Sequence, residues 1–253
     1  MHVVYSTAAA PGGGGRRNED FVIAGPDWVV VLDGATAAAG ADSGCRHDVA
    51  WYVARLGTGL ARGLAAGPET DLRDVLADAI REVTGCHGGS CDLDNPDSPS
   101  STAAIVRRRG AAVDYLVLCD SPVVLRGRDG TVRVIHDDRT EHLPGGRPYS
   151  AALVRSMRNR QGGFWVAAAR PEAAHQALTG SVAAADLDGA LLVTDGVTRL
   201  VEWYGRTWEH LTATAATAGP VELIIQVRAA EREHGAPRGA KPHDDATAAW
   251  VRW

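Results

Sequence analysis

Lysine is almost missing from this chain. Lys241 is the only one, and arginine supplies the rest of the 26 basic residues, against 31 acidic ones. The net charge of -5 offers no global basic field, which argues against nucleic acid as a partner. No uncharged apolar run is long enough to span a bilayer, and the N-terminus lacks a secretory signal pattern. The expectation is therefore a cytoplasmic protein with no membrane partner. Cysteine is limited to Cys45, Cys86, Cys91 and Cys119. Cys86-His87 and Cys91 lie close together, but neither spacing matches a zinc pattern and no second cluster follows. They read as reduced thiols, buried or in loops, and not as a metal site.

The 253 residues are 45% hydrophobic and 23% charged, enough for one large domain or two small ones. No internal repeat or linker divides them, so the expectation is one domain over 1–253. Val29 to Leu32 is a continuous, mostly β-branched run that suits a strand covered on both faces. Val49, Val53, Leu56, Leu60 and Leu64 recur at helical spacing within 42–65, and a second helical stripe runs from Thr70 to Val83. Short strands follow at 102–107, 113–119, 123–126 and 131–135, read as an antiparallel meander. Ala151 to Arg160 reads as a helix and Phe164 to Ala168 as a strand. Val182 to Ala185 and Ala190 to Thr194 read as a strand pair turning at Asp188-Gly189. Three further helices and a closing strand from Ala246 complete the chain. Strands and helices do not alternate, which excludes a doubly wound parallel sheet. The pattern fits an α+β fold of two mainly antiparallel sheets packed together with helices outside.

Acids stand at strand ends. Asp33-Gly34 ends the run Val29 to Leu32, Asp195-Gly196 ends the run Ala190 to Thr194, and Asp244 stands just before the last strand. Three buried carboxylates cost desolvation and mutual repulsion, and hard divalent cations are the simplest offset. A plain reading competes, in which these are turn and cap residues.

Taken in order, these pieces resemble the metal-dependent protein serine/threonine phosphatases of the protein phosphatase 2C type, bacterial members in particular. Asn18-Glu19-Asp20 resembles the family's first acidic motif. Val31-Leu32-Asp33-Gly34 and Thr194-Asp195-Gly196-Val197 resemble its two aspartate–glycine motifs, and Asp244-Asp245-Ala246-Thr247 its closing Asp-x-x-Thr. Ser100-Ser101-Thr102-Ala103 and Cys119-Asp120-Ser121 resemble its Gly-Ser-Thr and Gly-Asp-Ser strands.

The resemblance implies a four-layer αββα sandwich and two or three Mg²⁺ or Mn²⁺ ions. It implies Asp33 bridging two ions, the Gly34 carbonyl on one of them, and Asp195 and Asp244 completing the first shell. Glu19, with Asp20, would hold waters on the second ion, and Asp120 with Asp195 a third. The implied reaction is phosphomonoester hydrolysis, most simply of phosphoserine and phosphothreonine in proteins. Paired hard cations can lower the pKa of a bridging water and neutralise a phosphate dianion, so attack can proceed in line with no covalent intermediate. Arg16 or Arg17 would bind substrate phosphate through its planar fork of donors.

Some positions depart from the pattern. Ala35 stands where some relatives carry a proton-donating histidine, and Pro122 where an arginine is expected. His243, beside Asp244, is an alternative donor, or else a solvated side chain. Asp137 falls in a segment read as a solvated loop, and 140–163 in a mobile flap. These departures motivate two other readings: a catalytically weak binding module on the same fold, or a phosphatase of small phosphorylated molecules.

Overall fold

In the computed structural model, residues 1–12, 17–35, 40–146 and 148–253 are described. The chain begins with β1 (His2–Ala8), β2 (Phe21–Ala24), β3 (Trp28–Leu32) and the two-residue β4 (Gly34–Ala35). Two helices follow, α1 (Val49–Ala66) and α2 (Leu72–Cys86). Then come β5 (Ser100–Ser101), β6 (Ala103–Arg109), β7 (Ala112–Leu118), β8 (Val123–Gly127), β9 (Val132–Ile135) and the short helix α3 (Ala151–Met157). The last third holds β10 (Leu178–Ala183), β11 (Leu187–Val193), α4 (Asp195–Glu202), α5 (Trp208–Thr217), α6 (Pro220–His234) and β12 (Ala246–Arg252).

β3 shows why the layers form. All five of its residues are buried, and alternate side chains leave on opposite faces. Val30 and Leu32 pack among Val53, Leu56, Leu60, Leu76 and Ile80 of α1 and α2. Val29 and Val31 face the other way and meet Val123, Leu125, Leu192, Ala249 and Val251 of the second sheet. The far side of that sheet, through Val124, Leu191, Val193 and Ala248, is covered by Leu200, Leu211, Leu223 and Val227 of α4, α5 and α6. Helices, sheet, sheet and helices therefore stack as an αββα sandwich. One sheet runs β1-β12-β11-β8-β9 and the other β10-β7-β6-β3-β2, and every pairing in both is antiparallel.

Three local expectations change. The meander is not one sheet: β6 and β7 belong to one layer, β8 and β9 to the other, and the chain crosses at 119–122. Asp188-Gly189 is not a hairpin turn. β10 pairs with β7 in one sheet, while β11 pairs with β8 and β12 in the other, with a register shift between Leu187 and Gly189. A Cβ on Gly189 would collide with the Trp250 ring, so glycine is required there by close packing and not by a turn. Phe164 to Ala168 makes two isolated bridges, Ser101 with Ala167 and Arg158 with Phe164, and no ladder.

The solvated-loop reading of 136–139 also changes. Asp137 is buried and accepts from the Cys119 N–H at 2.9 Å and from Arg139 Nε at 2.6 Å. α3, capped by the Ser150 hydroxyl on Leu153 N–H, packs Leu153, Val154 and Met157 against Leu143, Phe164, Val166 and Cys119. Within the flap, Arg147 lies outside the described residues. No helix among the described residues is long and apolar enough to cross a membrane.

Candidate metal centre

β3 and β11 end at the same edge of the sandwich, each in an acid followed by glycine. Asp33 follows β3, and its carboxylate Oδ2 accepts from the Asp195 backbone N–H at 3.2 Å. Asp195 opens α4, so an amide of the positive helix end faces Asp33. The Asp33 amide donates to Thr102 Oγ1 at 3.1 Å, and that hydroxyl pairs with Ser121 Oγ at 2.7 Å. The Ser100 to Thr102 and Asp120-Ser121 segments are thereby locked to the same corner.

The first acidic motif is delivered by backbone contacts. The Gly34 amide donates to the Glu19 carbonyl at 3.1 Å, and a Cβ on Gly34 would collide with that carbonyl oxygen and with Val49. Glycine is therefore required for the close approach. Glu19 N–H donates to Asp245 Oδ2 at 2.6 Å, and Ala10 N–H to Asp245 Oδ1 at 2.8 Å. Asp20 is buried and accepts from Thr194 Oγ1 at 2.8 Å; Thr194 Oγ1 in turn accepts from Thr247 N–H at 2.9 Å. Gly196 passes so close to the Asp245 backbone that a Cβ would strike its carbonyl oxygen.

These contacts crowd carboxylates together, and their acidity responds. Burial, the largest cause, pushes Asp20 up to about 8; Asp195 and Asp245 push the same way, against hydrogen bonds from Thr247 and Thr194. Asp33 is raised well above the usual carboxylate range by burial, then by Asp195, Asp20 and Asp120. Asp195 is pushed up to about 7 by burial, then by Asp244 and Asp120, while Arg199 and Lys241 oppose. Asp195 as a residue is open to solvent, while its carboxylate is crowded by the neighbouring acids. Asp120 is raised by burial, and Asp137 adds to it. It follows Cys119, whose φ of 67° is the left-handed conformation a glycine would favour. The Cys119 amide is held there by Asp137.

Asp244 is placed differently. It neighbours Asp195, but its Oδ2 is met by Arg199 Nη2 at 3.0 Å and by Lys241 Nζ at 3.4 Å. Arg199 is buried and also holds Glu231 Oε1 at 3.0 Å, with its guanidinium 4.4 Å over the Trp203 ring. Arg228 reaches Glu231 Oε2 at 2.9 Å and the Asp244 carbonyl at 2.6 Å. His243 Nδ1 lies 2.8 Å from Glu231 Oε2, so its half-buried ring is engaged in this network. Of the two arginines expected to bind phosphate, Arg17 is exposed on the loop before Asn18, and Arg16 lies outside the described residues.

The donor set at this corner is all oxygen: Asp20, Asp33, Asp120 and Asp195 press on one another, and Glu19, Gly34 and Asp244 adjoin them. Hard divalent cations prefer such donors, and the mutual repulsion is the cost they would remove. The residues present fit the metals. The family model of protein phosphatase 2C matches residues 14–230.

The chain belongs to the protein phosphatase 2C family.

Solved structures agree on the fold. The catalytic domain of the serine/threonine protein phosphatase PstP, in complex with two manganese ions, superposes with a TM-score of 0.65 at 16% identity, covering 99% of this chain and 97% of that one. Stp1, a serine/threonine phosphatase from Staphylococcus aureus, gives 0.63 at 13% identity, covering 100% and 95%. MsPP from Mycobacterium smegmatis, in complex with cacodylate, gives 0.58 at 18% identity, covering 100% and 98%. No curated protein matches the chain in sequence.

The residues that sequence reasoning missed in this protein phosphatase 2C chain are the supports. Asp245, Thr194 and Thr102 stand inside the short motifs but act as supports of the acids, and the Arg199–Glu231–Arg228 group holds Asp244 from outside the motifs. The doubled acid Asp244-Asp245 was the one available signal: two adjacent carboxylates before a strand point in opposite directions and need two partners.

Proposed function

We propose that the protein is a Mg²⁺- or Mn²⁺-dependent phosphatase acting on phosphoserine and phosphothreonine in proteins. The observation that carries this reading is Asp33, half-buried and crowded by Asp195, Asp20 and Asp120, in a chain of the protein phosphatase 2C family. On this reading residues 1–253 form one phosphatase domain, since the first strand β1 pairs with the last, β12, along His2 to Ala8. Asp33, Asp195 and Asp244, with the Gly34 carbonyl, would hold the first ions; Glu19 and Asp20 would serve the second, and Asp120 with Asp195 would hold a third.

Bound divalent cations supply Lewis-acid neutralisation of the phosphoryl oxygens and a coordinated water of lowered pKa. The chain supplies the rest. The Asp195 amide fixes the rotamer of Asp33. Arg199 orients Asp244 from behind, as the outer partner of a metal-binding carboxylate does. Arg17, on the exposed approach to the site, receives the phosphate as a fork of donors. Ala35 brings no proton, and His243 is engaged by Glu231, so solvent at the open face delivers the proton to the departing alkoxide. The free cysteines suit a reducing compartment such as the cytoplasm.

The test is phosphate release from a phosphothreonine peptide by metal-loaded protein. Mn²⁺ should stimulate it, and Asp33→Asn should lower kcat/KM at least about 100-fold, or roughly 2.7 kcal/mol of transition-state stabilisation. Hydrolysis of small phosphomonoesters alone would move the substrate class to small molecules. Absence of metal-dependent turnover on either would overturn the proposal.

A further inference from the structure

The thiols that read as scattered in the sequence converge in the fold. Cys45 and His47 lie on the loop that leads into α1, His87 caps the C-terminus of α2, and Cys91 follows in the next loop. Cys45 Sγ is 3.6 Å from His47 Nδ1, 3.4 Å from His87 Nδ1 and 3.2 Å from Cys91 Sγ. Cys91 Sγ is 3.6 Å from His47 Nδ1. All four ligand atoms lie within 4.8 Å of one another.

We infer that Cys45, His47, His87 and Cys91 form a structural Zn²⁺ site, separate from the carboxylate centre.

The geometry supports this directly. Zn–S bonds of about 2.3 Å and Zn–N bonds of about 2.0–2.1 Å at tetrahedral angles place sulfur about 3.5 Å from nitrogen. The three sulfur–nitrogen distances, 3.4, 3.6 and 3.6 Å, fall on that value. The two sulfurs are far beyond the roughly 2.05 Å of a disulfide bond. Two thiolates and two imidazole nitrogens form a closed four-ligand set of the structural kind, with no position left for substrate. Softer sulfur and nitrogen donors select zinc, where the all-oxygen carboxylate corner selects magnesium or manganese.

The surroundings hold the ligands in place, as outer partners of a metal site do. The His47 backbone N–H points at Cys45 Sγ at 3.4 Å. Trp51, one turn into α1, stacks on the His47 ring at 3.9 Å and meets His87 edge-on at 5.0 Å. The two loops are also zipped by their backbones: Asp92 N–H donates to the Gly44 carbonyl at 2.8 Å, and Asn95 Nδ2 to the Asp42 carbonyl at 2.8 Å. The sequence pattern is Cys-x-His, the whole α1–α2 hairpin, then His-x-x-x-Cys. Neither half alone has a recognised zinc spacing, which is why the sequence did not reveal it.

The site would staple both ends of the α1–α2 hairpin. It would also fix the start of α1, where Asp48 caps the helix by accepting from Trp51 N–H at 2.7 Å and Val49 lies against Gly34 of the carboxylate corner. A zinc ion bound only by the folded chain contributes its binding energy to folding.

The experiment is metal analysis of the full chain, purified without chelator and dialysed against excess Mn²⁺ to displace zinc from any oxygen site. One zinc per chain is expected to remain. Cys45→Ser and Cys91→Ser should lose it, and Cys86→Ser, whose thiol is exposed and outside the cluster, should keep it. Because the first two variants also lose a fold-linking ligand, the wild-type protein is titrated as well, with an organomercurial in the presence of a chromogenic chelator. Release of one zinc should track modification of the cluster thiols. Cobalt added to chelator-stripped protein should give the visible bands of a tetrahedral thiolate site. Zinc below about one-tenth per chain with four free thiols would overturn the inference. So would a Cys45–Cys91 disulfide in protein purified under reducing conditions, or zinc that persists undiminished in both Cys→Ser variants.

Discussion

Asp20, Asp33 and Asp195 are carboxylates whose acidity is far from that of their kind. A carboxyl with a raised folded-state pKa stabilises the fold below its unfolded pKa, and that contribution is lost as pH rises through the folded value. With Asp20 near 8 and Asp195 near 7 against an ordinary 3.8, the metal-free protein loses stability between about pH 4 and pH 8. Asp71, lowered to about 2 first by its hydrogen bond from Arg73, acts in the opposite sense only below about pH 4 and does not mask this. Thermal melts of the metal-free protein should therefore give a lower Tm at pH 8 than at pH 5. Mn²⁺ should raise Tm more at pH 8 than at pH 5; a Tm independent of pH over this range would contradict the assignment. Asp33→Asn removes one of the repelling charges, so the same melts at pH 8 should show the metal-free variant at or above the wild type while its phosphatase activity is lost. Gly196 carries a second prediction. Gly196→Ala drives a methyl group into the Asp245 carbonyl, and overpacking of this kind costs about 1–3 kcal/mol, read as a lower midpoint in urea.

At the scale of elements, the acids are only as well placed as the segments that carry them. α4 begins at Asp195 and carries Arg199 one turn later, so a single short helix presents both a proposed ligand and the arginine that orients Asp244. Arg199→Met would leave Glu231, fully buried, with Arg228 as its remaining arginine and would free Asp244 to swing. A cost of about 3 kcal/mol in chemical unfolding is expected, with a higher Mn²⁺ concentration needed for half-maximal activity. Unchanged metal dependence would remove Arg199 from the account. Elements were legible in the sequence where periodicity was strong. The α1 and α2 stripes and the apolar run Val29 to Leu32 of β3 were read directly, because burial on one stripe or on both faces leaves a pattern. Sheet membership was not legible. β10 and β11 look like the arms of a hairpin around Asp188-Gly189, yet they lie in different sheets, and only tertiary pairing distinguishes a glycine that turns from one that makes room for Trp250.

At the scale of the molecule, the αββα stack brings the ends of β3 and β11 and the start of β12 to one edge, and residues far apart in sequence become neighbours there. The strand-end acids could be read in advance because each carries its own short signature. The partners of those acids could not, because Asp245 beneath Glu19 or Glu231 behind Arg199 is a long-range relation with no local pattern. The same limit hid the Cys45, His47, His87 and Cys91 cluster, whose halves flank an entire helical hairpin. The central claim is that the acids at this edge are a divalent metal centre. A crystal of the protein grown with Mn²⁺, with anomalous data collected at the manganese edge, tests it most directly. Two peaks bridged by Asp33 and flanked by Asp195 are predicted. Full-occupancy protein with no manganese peak against Asp33, or with Asp195 and Asp244 both turned away from the ion, would contradict it.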